Sequence, residues 1–130
     1  MKSVTISSSN RFAKEALEFA EKLRELGVTV FTPHFYTYHH VSLEEVNDHN
    51  KRYLAMGLTH DHFQKIRKGD TTFIFNKDGY IGNSTTLELG YAVALGKTVY
   101  ALSDKDEEVC RDILFDGYAA TPEELAKKLA

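Results

Sequence analysis

From Thr85 to Gly96 the chain reads TTLELGYAVALG, apolar or small at almost every position, with one charge, Glu88. Surface helices carry charges along their polar face, so a carboxylate alone in such a run needs a reason. Just before it, Gly79 and Gly82 permit a left-handed backbone or the close approach of a ligand, and Asn83, Ser84 and Thr85 offer amide and hydroxyl groups at a helix start. A carboxylate in the first turn is favoured as an anion by the helix dipole. Beside a half-enclosed pocket, such a carboxylate can attack the anomeric carbon of a sugar through an oxocarbenium-like transition state, leaving a covalent glycosyl-enzyme. The same spacing has a structural reading: Thr85 and Glu88 stand three apart, as in a capping box, where Glu88 would only satisfy a backbone N–H.

Other residues with chemical potential lie upstream. SSSNR, Ser7 to Arg11, presents three hydroxyls, an amide and a guanidinium at a helix N-terminus, which suits an anion such as phosphate, or else is a plain N-cap with an exposed arginine. All six histidines fall between His34 and His62. His60 and His62 flank Asp61 on a helix and so point to different faces, and no pair has a recognised metal-ligand spacing, so no metal is expected. Phe35, Tyr36 and Tyr38 can stack on a base or pack an interface.

The elements that must position these groups alternate. Ser3 to Ser7 reads as a strand, Arg11 to Leu26 as an amphipathic helix stopped by Gly27, and Val28 to Pro33 as a second strand. Ser42 and Glu45 form a capping box opening a polar helical region to Lys68, with a break expected near Gly57. Thr71 to Asn76 is a third strand, Thr85 onward a third helix, and Thr98 to Ser103 a fourth strand. A short helix over Glu107 to Leu114, a weak fifth strand at Phe115 to Ala119, and a helix capped by Thr121, Pro122 and Glu124 complete the order. Alternation implies a doubly wound, three-layer α/β sandwich, flavodoxin-like or Rossmann-like, with a mainly parallel five-stranded sheet whose strand ends gather three loops on one edge.

Composition narrows the partners. The 130 residues are 42% hydrophobic and read as one domain. Sixteen basic and 19 acidic residues give a net charge of −3, which argues against a nucleic-acid polymer. No run approaches the roughly 20 apolar residues of a membrane span, and the N-terminus has no signal-peptide core, so no membrane partner is expected. The lone Cys110 excludes an internal disulfide and suits a reducing, cytoplasmic setting.

NKDGYIGNSTTLELGYAVALGK, Asn76 to Lys97, resembles the signature of the nucleoside 2-deoxyribosyltransferase family, which includes the 2′-deoxynucleoside 5′-phosphate N-hydrolases. The resemblance implies a flavodoxin-like fold, Glu88 as nucleophile, a nucleoside or nucleotide substrate, no cofactor, and a homodimer or larger homo-oligomer. It implies that Ser7, Ser9, Asn10, Arg11, Asn76, Gly79, Gly82, Ser84 and Thr85 line the substrate. Where family members carry a second carboxylate that helps protonate the leaving base, this chain has His62, which can serve as a general acid or be a solvated side chain. Asp70 reads as structural. Family members often place an orienting tyrosine in the first strand; the matching position here is Thr5, so that hydroxyl is missing or comes from elsewhere. The alternatives are a catalytically silent nucleotide-binding protein of the same fold, a phosphoribohydrolase of the lysine-decarboxylase-like group, and an FMN-binding module. A receiver-type switch needs an aspartate at the end of the third strand, where this chain has Asn76.

Overall fold

Val4, Thr5 and Ile6 are β-branched, and their side chains alternate across the pleat. Val4 and Ile6 enter one apolar cluster with Phe73, while Thr5 and Ser7 turn to the other face of the sheet. This strand, β1 (Val4–Ser7), lies near the centre of the fold and sets which side chains reach the site. The computed structural model describes residues 1–35 and 47–130.

A turn of 3-10 helix, Asn10–Phe12, leads into α1 (Ala13–Glu25), which Gly27 ends with φ +88°. β2 (Val30–Phe31) follows, shorter than the expected Val28 to Pro33. The described chain resumes with α2 (Asp48–Lys68), β3 (Thr71–Ile74), a 3-10 turn at Lys77–Gly79, α3 (Asn83–Ala94) and β4 (Thr98–Ala101). α4 (Val109–Asp112), β5 (Gly117–Tyr118) and α5 (Pro122–Leu129) close it. The strands pair in the order β2-β1-β3-β4-β5, every pair parallel, with Thr5 opposite Thr72 and Ser7 opposite Ile74. This is the doubly wound, three-layer arrangement that alternation implied.

Two apolar cores hold the layers. On one face Ala16, Phe19, Ala20 and Leu23 of α1 and Leu125 and Leu129 of α5 pack on Val4, Ile6, Phe73 and Phe75. Phe19 stacks on Phe73 with ring centroids 5.0 Å apart. On the other, Ile66 of α2 and Leu89 and Ala92 of α3 pack on Ile74, Val99 and Ala101. Under α2 this second face is polar: Thr5, Ser7 and Thr72 are all buried there.

Local expectations change at α2 and at α3. α2 runs unbroken through Gly57, because one glycine costs a helix only about 1 kcal/mol. Its described N-cap is Asn47, whose Oδ1 accepts from the Asn50 N–H at 2.9 Å; the expected capping box at Ser42 and Glu45 lies outside the described residues. α3 starts at Asn83 with Gly82 as N-cap and no side-chain cap. Thr85 is therefore inside the helix, no Thr85–Glu88 capping box forms, and Glu88 sits in the second turn rather than the first. At α5, by contrast, the Glu124 N–H donates to Thr121 Oγ1 at 3.2 Å, while Glu124 Oε2 accepts from the Ala120 N–H at 2.8 Å. Asp70 is structural as expected, accepting from the Ser3 N–H and Oγ.

Candidate active site

In the order β2-β1-β3 the chain leaves β1 toward one neighbour and later returns to the other, so the helices diverge and a crevice opens past the strand ends. Four segments meet there. The β1 end contributes Ser8, Ser9 and Asn10; the segment after β2 contributes Pro33, His34 and Phe35; α2 contributes Leu58, Thr59 and His62; and the start of α3 contributes Gly82 to Thr85 and Glu88. They enclose a cavity of about 260 Å³, near the small end of the range for small-molecule sites.

Helical spacing explains why these side chains converge. Leu58, Thr59 and His62 lie three and four apart and share one face of α2. On α3, Thr85, Leu89 and Ala92 form the buried face, and Glu88, one position from Leu89, sits at its edge against the cavity. Lys65 fixes α2 on the strands: its Nζ donates to the Thr32 carbonyl at 2.8 Å, and its own carbonyl accepts from Thr5 Oγ1 at 2.8 Å. His62 stands nearly one turn earlier, over Ser7.

The electrostatics of this corner follow from burial. The Glu88 side chain is 13% exposed. Removing a carboxylate from water disfavours its charged form, so burial pushes Glu88 up to about 7, with the Ser7 hydroxyl offsetting part of the effect. The His62 side chain is 4% exposed, and burial, with the Lys65 charge adding to it, lowers it to about 4. His62 is thus a neutral imidazole near neutral pH, not the solvated side chain its polar helix suggests. Its Nε2 lies 2.8 Å from Ser7 Oγ and 3.7 Å from Glu88 Oε1. Outside the buried corner, Asp61 pairs with Lys65 at 2.9 Å, and that hydrogen bond holds Asp61 below the usual carboxylate range.

The structure brings together most of the residues singled out in the sequence. Ser9, Asn10, Gly82, Ser84, Thr85, His62 and Glu88 line one cavity, and Ser7 supports it from beneath. Arg11 does not line it: its guanidinium lies over the Tyr80 ring, 3.7 Å from the centroid. Asn76 is fully buried and bridges the ends of β3 and β4, its Oδ1 accepting from the Ser103 N–H and its Nδ2 donating to the Ser103 carbonyl. Gly79 also stands apart, with φ +81° and the Lys105 carbonyl where a Cβ would sit. Phe35 is buried on the cavity wall; Tyr36 and Tyr38 lie outside the described residues. Leu58 and Thr59 were missed, although their spacing from His62 marked them. Thr5 donates to the Lys65 carbonyl, and the first-strand hydroxyl that reaches this corner, 2.8 Å from His62 Nε2, is that of Ser7, one pleat further along.

No family model and no curated protein sequence matches the chain. Among solved structures it is similar to a 2-deoxyribosyltransferase from the psychrotolerant bacterium Bacillus psychrosaccharolyticus, characterised as a biocatalyst for nucleoside synthesis. The TM-score is 0.64 with 24% identity, over 95% of this chain and 90% of that one. The likeness establishes a shared fold along nearly the whole length of both chains.

Proposed function

We propose that this protein cleaves or transfers the N-glycosidic bond of a nucleoside or nucleoside 5′-monophosphate, with Glu88 as nucleophile, as a member of the nucleoside 2-deoxyribosyltransferase family. The observation that carries the reading is a nearly buried carboxylate on the wall of a cavity at the switch point of the sheet. The Asn76 to Lys97 signature and the fold shared with a 2-deoxyribosyltransferase support it.

A Glu88 carboxylate oxygen bonds to the anomeric carbon as the C–N bond breaks, its electron pair leaving with the base, which takes up a proton. Water or a second base then attacks the same carbon, and Glu88 leaves as carboxylate, giving hydrolysis or transfer. Ser9, Asn10 and Ser84, at the starts of the 3-10 turn and α3, offer polar groups to the sugar or its phosphate. Arg11, over Tyr80 near these residues, Asn76 and Gly79 act outside the cavity wall, shaping the loops that border it. The same reading carries a homodimer or larger homo-oligomer. Tyr53 and Met56 of α2 and Leu87 of α3, apolar and exposed on packed neighbouring helices, support it.

Base release, followed by chromatography over a panel of nucleosides and 5′-monophosphates, tests the proposal. The wild type releases base and Glu88→Ala loses the activity by at least about a thousandfold. Binding of nucleotides without release from any substrate, even with an acceptor base added, would instead identify a silent binding protein.

A further inference from the structure

Ser7 ends β1 and is fully buried, in the same corner as His62 and Glu88, whose Nε2 and Oε1 lie 3.7 Å apart. His62 Nε2 lies 2.8 Å from Ser7 Oγ, and the same hydroxyl strengthens the acidity of Glu88. A hydroxyl carries one proton and an ionised carboxylate can only accept. With Ser7 Oγ accepting from His62 Nε2–H, the Ser7 proton is left for an ionised Glu88, whose Oε1 lies 3.7 Å from the same Nε2. That arrangement has the imidazole proton on Nε2 and Nδ1 bare, and Nδ1 is a buried atom without a hydrogen-bond partner among the described residues. Among the described residues the charged or titratable groups acting on His62 are Asp61 and Lys65 on α2, and His34 after β2.

We infer that Ser7 and His62 are a positioning pair for Glu88, in which His62 Nε2–H orients the Ser7 hydroxyl and that hydroxyl aims the carboxylate and favours its ionised form. This rests on the reading of Glu88 as nucleophile. In this pair His62 acts on Glu88 through Ser7, not as the acid for the departing base. The pair supplies from β1 and α2 the orienting hydroxyl that Thr5, turned onto the Lys65 carbonyl, does not.

Glutamine can place an N–H where His62 has Nε2, whereas asparagine is too short to reach Ser7. Rates are compared at equal folded fraction, from thermal unfolding, on a purine nucleoside and on its N7-methylated counterpart, whose base departs without needing a proton. His62→Asn and Ser7→Ala should each lose about a hundredfold on both substrates, while His62→Gln falls less than about tenfold. Equal losses for His62→Gln and His62→Asn that recover on the methylated substrate would make His62 the acid and overturn the inference. A readout independent of turnover is the Glu88 carboxyl titration, followed by carbon-13 NMR. Ser7→Ala and His62→Asn should raise its midpoint by about one unit and His62→Gln should leave it in place; an unmoved midpoint in all three overturns the pair. If the wild type releases no base at all, the proposed function fails while the titration still decides the pair.

Discussion

Glu88 and His62 show what a side chain's surroundings do to its chemistry. Glu88 is held in a site that disfavours its charge, so its contribution to stability is present at low pH and is lost as pH rises from about 4.5, its ordinary value, to about 7. The shift corresponds to about 3 kcal/mol once the carboxylate is fully ionised. Urea denaturation should therefore find Glu88→Gln more stable than the wild type at pH 8, with the gap closing below about pH 4.5; a gap independent of pH would contradict the burial argument. His62 works in the opposite sense. Depressed from 6.5 to about 4, it withdraws stability as pH falls through that window, because the unfolded chain binds the proton more readily. Glu88→Gln should thus expose a stability that climbs from pH 4 to 6.5. For catalysis, a nucleophile must be ionised, so kcat/KM should rise with pH along a limb near 7 and level off above it.

Helices α2 and α3 explain why the site sits where it does. α2 stays continuous through Gly57, and an added methyl there meets nothing within 4 Å. Gly57→Ala should then raise stability by about 0.5–1 kcal/mol, measured by thermal unfolding, with base release unaffected; a loss would mean that the glycine answers a need the helix does not show. Gly79 is the contrary case. Its φ is +81° and a Cβ would lie 2.2 Å from the Lys105 carbonyl oxygen. Gly79→Ala should cost about 2 kcal/mol or more, since neither the backbone angle nor the facing carbonyl can yield cheaply. The glycine reads in the sequence as a ligand approach; its constraint comes from the loop after β4, a neighbour that sequence spacing cannot reveal.

For the molecule as a whole, the proposed assembly finds support in apolar side chains on the outer surface. Leu87 is 64% exposed and Met56 52%, on helices packed side by side. Sedimentation should find a dimer or larger species, and Leu87→Glu should weaken it; a monomeric wild type at micromolar concentration would end that reading. The order of elements was legible in the sequence because alternating strands and helices leave one sheet topology strongly favoured. Glu88 was legible too, as the single charge in an apolar run. Its turn in the helix was not, because Gly82 took the cap and moved the start of α3 ahead of Thr85. The state of His62 lay further out of reach. α2 is polar along most of its length, and only packing against β1 buries that one imidazole over Ser7. Sequence by itself determined the residue types, the periodicities and hence the layers of this protein. Tertiary structure alone decided which hydroxyl meets His62 and which titratable groups lose their water, because those depend on contacts such as that of Ser7 with His62, 55 positions apart in the chain.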